Sequence, residues 1–204
     1  IGWTGILIEP QPDLAEKLKR ERRAQVFAVA CGAPEHDGTT MPMIVAGALS
    51  TLSDTVKATG ADRTRAGAGG VIQVPVRTLD SIMAEAGLSR ADFISIDVEG
   101  FEAEVLKGAD LPRYRPRLVF IEDDVTSHRK HRMMRRLGYR LVRRTALNNW
   151  YVPEKASRGN SVSVSLYGRL QFFRKFYLGY WPRWLKDRSR QRRARATSSG
   201  IGQA

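Results

Sequence analysis

The sequence predicts an α/β fold in which a parallel sheet carries helices on both faces. Short apolar segments alternate with amphipathic segments over most of residues 1–145, and this alternation is typical of parallel sheets. Three of the apolar segments end on a carboxylate, at Glu9, Asp97 and Glu122. Because ligands bind outside the carboxyl ends of parallel strands, we expect these acids to lie along one rim of the sheet.

The short apolar segments predict the strands. We place them at residues 5–9, 25–31, 39–45, 71–77, 93–97 and 117–122, followed by a terminal hairpin from residues 139–144 and 149–153. Proline cannot donate to a strand ladder, so Pro42 predicts that the third of these is an edge strand.

The amphipathic segments predict the helices. We place them at residues 12–24, 79–86, 99–107 and 126–137. Pro12 suits the first turn of the first helix. Thr78 suits the N-cap of the second helix, which Gly87 would close.

Residues 46–70 are rich in Gly, Ala, Ser and Thr and predict a long loop. A loop of this length inside a compact domain is usually functional or disordered. Ser50, Thr51 and Ser53 could belong to a lid over the rim, and an ordinary flexible loop is the alternative.

Charge divides the chain into two regions. The 204 residues carry a formal net charge of +13, of which +11 falls from residue 155 onward, where twelve Lys and Arg accompany one acid. We therefore predict a nearly neutral domain over residues 1–155 and a basic, aromatic tail over residues 156–204. The single cysteine, Cys31, excludes an internal disulfide framework and a clustered thiolate metal site, and favours a reducing, cytoplasmic setting.

Four segments carry a resemblance to a known family. They are GWTGILIEPQPDLAEKL, VPVRTLDSIM, DFISIDVEGFEAEVLKGAD and RPRLVFIE, in this order and at suitable spacing. Together they resemble the FkbM-type methyltransferases, a class I family that uses S-adenosylmethionine and acts mostly on hydroxyl oxygens. The resemblance covers roughly residues 1–155. It implies a Rossmann-like class I sheet and methyl transfer to oxygen, and we predict an O-methyltransferase that acts on a hydroxyl of a sugar, polyketide or lipid-linked acceptor.

The resemblance also implies roles in binding the cofactor, S-adenosyl-L-methionine. Glu9 matches the acid that holds the ribose hydroxyls, and a carboxylate suits this role because it can accept two hydroxyl donors at once. Ala30 and Cys31 match the segment that flanks the adenine. Asp97 matches the acid near the methionine end and the reacting methyl group.

Methyl transfer to a hydroxyl requires alignment of the reacting atoms and removal of the hydroxyl proton. Asp97 is the first candidate for the proton acceptor. Glu99 and Glu122, which the resemblance places on the acceptor side, are the next. Two neighbouring acids could instead hold a divalent cation, and the sequence leaves both possibilities open, so no residue is assigned as a metal ligand. A structural alternative is that Asp97 only caps the following helix.

Other polar residues near the rim have structural interpretations. Glu102 and Glu104 are explained as charges at a helix start, which the helix dipole favours. Surface solvation explains at least one acid of the run at residues 122–124. His128 and His131 could supply a general base, but a solvated helix face is the simpler interpretation.

The family pattern starts with a strand and a glycine-rich loop that cradle the methionine portion of the cofactor. No counterpart precedes Ile1. We therefore expect an N-terminally truncated part of a longer methyltransferase. The alternative is a non-catalytic methyltransferase-like scaffold whose basic tail binds a membrane surface or nucleic acid.

The tail holds eight of the seventeen aromatic residues of the chain, between Tyr167 and Trp184. On a helix, its aromatic and cationic side chains fall on opposite faces, which is typical of helices that lie in a membrane interface. The polybasic end suits anionic headgroups. We predict contact with an anionic membrane surface through residues 165–195, and hence a cytoplasmic protein peripheral to the membrane. Docking of the aromatic face on the domain and binding of nucleic acid are the alternatives.

Overall fold

The computed structural model describes residues 4–46, 50–52, 70–123, 128–145 and 147–154. The strands in these ranges are β1 (Ile6–Ile8), β2 (Gln25–Phe27), β3 (Ala30–Cys31), β4 (Thr40–Ile44), β5 (Thr51–Leu52), β6 (Val71–Arg77), β7 (Phe93–Ile96), β8 (Leu118–Glu122), β9 (Tyr139–Thr145) and β10 (Asn148–Pro153). The helices are α1 (Pro12–Glu21), α2 (Leu79–Glu85), α3 (Glu102–Lys107), α4 (Leu111–Tyr114) and α5 (Arg129–Arg136), with a 3-10 turn at Pro34–His36. The tail predicted at residues 156–204 and most of the loop predicted at residues 46–70 lie outside the described residues.

The prediction of a mixed α/β architecture is confirmed, but the described strands are divided among three sheets. β1 and β2 pair in parallel. A second sheet has the order β7-β8-β10-β9, in which β7 and β8 are parallel and the terminal hairpin is antiparallel, as predicted. The third sheet has the order β3-β6-β4-β5 and mixes both orientations. The sequence predicted one parallel sheet because apolar runs show where strands lie and do not show which strands pair.

Two predicted strands differ from the structure because the sequence does not show which strands pair. The segment at residues 25–31 divides into β2 and β3, which pair with β1 and β6 respectively. Pro42 lies in β4, which has neighbours on both sides and is therefore not an edge strand. Among the described residues, β5 pairs with Met43 and Ile44 of β4, and Pro42 itself pairs with Gln73 of β6 on the other side.

The largest apolar core connects the β7–β8 pair with α2, α4 and α5. Its fully buried members include Ile82, Leu111, Tyr114, Ile121 and Met134. Helix α2 begins as predicted, because the Thr78 hydroxyl accepts a hydrogen bond from the Ser81 N–H at 3.1 Å.

In the part of the chain that the structure describes, no helix combines the length and apolar character needed to cross a bilayer.

Candidate functional site

A cavity of about 770 Å³ lies between strands β1 and β7. Every residue of both strands lines it, and among the described strands β1 pairs with β2 alone and β7 with β8 alone. Apolar side chains from other elements complete the wall, including Met43, Leu52, Leu79 and Met83. The volume is in the range of small-molecule sites. The cavity therefore combines apolar surface with two strand edges that can form hydrogen bonds.

Glu9 follows the end of β1 and lines the cavity. Its backbone N–H donates to the Phe27 carbonyl at 3.0 Å, and its Oε1 accepts from the Gln11 N–H at 2.9 Å. A carboxylate has about four lone-pair sites. Glu9 is therefore oriented by its local backbone and keeps capacity to accept further hydrogen bonds from a ligand.

Ala30 and Cys31 form β3 and are buried in the cavity wall. Burial raises the pKa of the Cys31 thiol to about 12, because desolvation disfavours the thiolate. A thiol that stays neutral is a poor nucleophile and behaves as a small apolar group. Both residues therefore contribute apolar surface to the wall.

Asp97, Glu99 and Glu122 meet at the carboxyl ends of β7 and β8. Ile96 pairs with Ile121 in the parallel register, so the next residue of each strand segment is an acid and the two acids are adjacent. Carboxylate oxygens of all three acids lie within 4.8 Å of one another. We refer to these three residues as the acid cluster. Asp97 and Glu99 line the cavity, whereas Glu122 is not among the described residues that line it.

Burial and mutual repulsion shift the protonation of the acid cluster. Burial is the main cause that raises the pKa of Glu122 to about 7, and the negative charge of Asp97 and a hydrogen bond with its side chain add to the effect. Burial and the charges of Asp97 and Glu102 raise the pKa of Glu99. A carboxyl pair with one pKa near neutrality can accept a proton at neutral pH.

The turn between β7 and α3 directs Glu99 into the cavity. Glu99 has φ of 50° and Gly100 has φ of 101°, and a non-glycine residue with positive φ is uncommon. The Thr51 hydroxyl donates to the Glu99 carbonyl at 2.8 Å. The Gly100 N–H donates to Glu102 Oε1, also at 2.8 Å. Two hydrogen bonds from different parts of the chain thus hold this turn.

This turn corrects two sequence interpretations. Helix α3 begins at Glu102, and its N-cap is Phe101, whose side chain cannot accept a hydrogen bond. Glu99 therefore lies before the helix, and Asp97 is not its cap. The predicted helix start at residue 99 was wrong because the left-handed turn interrupts a sequence whose composition suits a helix.

Two further acids near the rim, Glu102 and Asp123, are buried. Glu102 is 1% exposed and its Oε2 lies 3.0 Å from Lys130 Nζ. Asp123 is fully buried and accepts from Asn149 Nδ2 at 2.9 Å. The sequence held one signal for Glu102, because it precedes Val105 and Leu106 by three and four positions, and these three residues share the buried face of α3.

The two histidines lie away from the cavity. Neither His128 nor His131 is among the described residues that line it. His131 Nδ1 lies 3.3 Å from the Tyr151 hydroxyl, and burial lowers the pKa of His131, followed by the charge of Arg135. His131 is thus half-buried against the sheet rather than on a solvated face.

Comparison with protein families gives one match. A family model described as "Methyltransferase FkbM domain" matches residues 1–141. The match includes Glu9, β3 and the acid cluster, and it ends within β9. Searches among curated proteins and among solved structures gave no significant match.

Proposed function

The chain belongs to the FkbM methyltransferase family, and we propose that it carries out S-adenosylmethionine-dependent O-methyl transfer. One observation carries the proposal: Glu9 lines one side of the cavity, and the acid cluster lies at its other side. We propose that the acceptor is a hydroxyl of a sugar, a polyketide or a lipid-linked compound.

The residues around the cavity fit this cofactor. Glu9 keeps acceptor capacity for the two ribose hydroxyls. Ala30 and the neutral Cys31 thiol offer apolar surface for the adenine ring. When bound, S-adenosylmethionine supplies a methyl group on a positively charged sulfur. Asp97, which lines the cavity, provides a negative charge that attracts such a group.

Asp97 and Glu122 together would receive the proton of the acceptor hydroxyl. Asp97 reaches the cavity, and its hydrogen bond with Glu122 connects it to a carboxyl group with a pKa of about 7. General bases are most effective when their pKa lies near the working pH. Uptake of the proton neutralises one carboxylate, and this lowers the repulsion within the acid cluster. Glu99 lines the acceptor side of the same wall.

Calorimetry with S-adenosylhomocysteine tests the cofactor assignment on the full-length protein. We expect binding by the wild type and an affinity about tenfold or more lower for Glu9→Ala, because hydrogen bonds to a charged group are lost. Glu21→Ala, at the exposed end of α1, is the matched control and should bind as the wild type does. No detectable binding by the wild type would refute the proposal and favour a non-catalytic methyltransferase-like scaffold.

We further propose, from the sequence alone, that residues 165–195 bind an anionic membrane surface and that the protein is cytoplasmic and peripheral to the membrane. These residues lie outside the part of the chain that the structure describes. Co-sedimentation with phosphatidylserine vesicles, with and without residues 160–204, tests this. Equal binding of both forms would contradict it, and binding of RNA or DNA in place of vesicles would favour the nucleic-acid alternative.

A further inference from the structure

A second set of charged side chains lies next to the acid cluster, and solvent barely reaches it. Lys130 Nζ lies 3.0 Å from Glu102 Oε2 and 3.3 Å from Asp123 Oδ1, and it donates to the Glu122 carbonyl at 3.1 Å. The side chains of Lys130, Glu102 and Asp123 are 12%, 1% and 0% exposed. A buried ammonium that contacts two carboxylates connects α5 with α3 and with the end of β8.

The terminal hairpin completes this network. Asn149 Nδ2 donates to Asp123 Oδ2 at 2.9 Å, and Arg144 donates to Asn149 Oδ1 at 2.7 Å. Arg144 also donates to the Asp123 carbonyl at 2.5 Å. Among the described residues, the network thus contains two carboxylates, Glu102 and Asp123, and two cations, Lys130 and Arg144, whose formal charges balance. Buried charges are tolerated when they are paired and hydrogen-bonded in this way.

Two bonds of the network reach the backbone that carries the acid cluster. Glu102 Oε1 accepts from the N–H of Gly100, the residue that follows Glu99. Lys130 donates to the carbonyl of Glu122 itself. Three carboxylates with oxygens within 4.8 Å repel one another whenever more than one is ionised. A restraint on their backbone opposes that repulsion without occupying the space that a ligand needs.

We propose that Glu102 and Lys130 are positioning residues that hold Glu99 and Glu122 in the acid cluster. Neither residue lines the cavity, so both act through the backbone of Gly100 and Glu122. The role of the acid cluster in catalysis rests on the proposed function. The restraint that Glu102 and Lys130 place on its backbone is independent of that function.

The same two helices provide a matched control pair. Arg129 and Glu104 also connect α5 with α3, at 3.0 Å, with side chains that are 51% and 16% exposed. Substitution of this pair removes the same two types of charge from the same two helices, but nearer the surface.

The test compares Glu102→Leu/Lys130→Met with Glu104→Leu/Arg129→Met by amide hydrogen exchange and NMR. Each double variant removes one charge of each sign, and apolar replacement of a buried ion pair is often tolerated. We expect exchange of the Gly100 amide to become at least tenfold faster in the first variant and to stay as in the wild type in the second. Unchanged Gly100 exchange in the folded first variant would overturn the proposal, as would an equal increase in the control.

Glu102→Gln decides the case in which the double variant does not fold. It is nearly isosteric and replaces the carboxylate oxygen that accepts from Gly100 by a weaker amide acceptor. In Glu102→Gln, the NMR signal of the Gly100 amide proton should move upfield. In Glu104→Gln, this signal should stay where it is in the wild type. An unchanged signal in Glu102→Gln would overturn the proposal. Calorimetry with S-adenosylhomocysteine on the same proteins separates the proposal that the protein binds the cofactor from the proposal that Glu102 and Lys130 position the acid cluster. Failure of the wild type to bind would refute the cofactor proposal and leave the Gly100 result to stand by itself.

Discussion

Comparison of the two sides of the cavity shows how differently they are held. The β1 wall, residues 4–11, consists of a three-residue strand that pairs with β2 and of Glu9, oriented by the nearby Gln11 N–H. The β7 wall, residues 90–99, belongs to a four-stranded sheet, and its last residue is bonded to Thr51 of a separate sheet. Glu9 of the first wall is bonded to Gln11 and Phe27, two and eighteen positions away, whereas the end of the second wall is bonded to Thr51, 48 positions away.

The difference follows from the charges that each wall presents. Glu9 is a single carboxylate on its wall and needs only orientation, which the Gln11 N–H provides. The acid cluster brings three like charges together, and it is stable only where other groups restrain its backbone and where one proton is retained. We therefore expect substitutions behind the β7 wall to cost much more stability than comparable substitutions along the β1 wall.

Asp123→Ala should produce the largest effect. The substitution leaves Lys130 with one carboxylate fewer and removes the acceptor of Asn149 Nδ2. We expect the free energy of unfolding to fall by about 3–5 kcal/mol, because buried cations lose their compensation. Asp13→Ala, in the exposed first turn of α1, the helix that follows the β1 wall in sequence, should cost less than about 1 kcal/mol. Urea denaturation checks both, and similar costs for the two variants would contradict the comparison.

The acid cluster should make the free energy of unfolding depend on pH. The pKa of Glu122 rises from its ordinary 4.5 to about 7 on folding, so between these pH values the folded protein holds a proton that the unfolded chain has released. The free energy of unfolding should therefore fall as pH rises from about 4.5 to 7, by about 2 kcal/mol after allowance for solvent screening.

Glu122→Gln cannot titrate and should remove this part of the slope. Glu21→Gln serves as the control. It also removes one carboxyl group, but this group lies outside the acid cluster, at the exposed end of α1. Unfolding curves measured at several pH values compare the three proteins. The same slope in Glu122→Gln as in the wild type would show that the cluster does not retain a proton.

A pair of glycine substitutions compares the backbones of the two walls. Gly100 has φ of 101°, so Gly100→Ala should cost about 1–2 kcal/mol although no atom of the described residues would contact the new methyl group. Gly5 lies in the β1 wall, has equally open surroundings and no such φ. Gly5→Ala should change the free energy of unfolding by less than about 0.5 kcal/mol. Thermal denaturation measures the stability of both variants. A loss of stability in Gly5→Ala as large as that in Gly100→Ala would show that the backbones of the two walls do not differ in this way.

Thr51→Val should produce the smallest effect on the β7 wall. It removes the hydroxyl that donates to the Glu99 carbonyl at 2.8 Å and keeps the shape of the side chain. We expect a loss of about 1 kcal/mol, together with a change in the NMR signal of the neighbouring Gly100 amide. Thr39→Val is the control, since its hydroxyl donates to the His36 carbonyl away from the cavity. An unchanged Gly100 signal in Thr51→Val would show that β5 does not restrain the turn.

The sequence by itself determined where most elements lie and which acids end the strands. Apolar runs and a capping threonine are local signals, so β1, β8, the terminal hairpin and the start of α2 at Thr78 were predicted closely. The adjacency of Asp97 and Glu122 was also predictable, because parallel neighbours bring their carboxyl ends to one edge. Glu9 lines the same cavity as Asp97, although β1 and β7 belong to different sheets among the described strands.

Only the tertiary structure decided how the strands pair and what holds the acid cluster together. The pairing of β3 with β6 joins residues more than forty positions apart, and the contact of Lys130 with Glu102 joins residues 28 positions apart. The composition around residue 99 suits a helix, yet Thr51 and Glu102 bind a left-handed turn there. Short segments carry propensities, whereas burial, pairing and charge compensation depend on residues that meet only when the chain is folded.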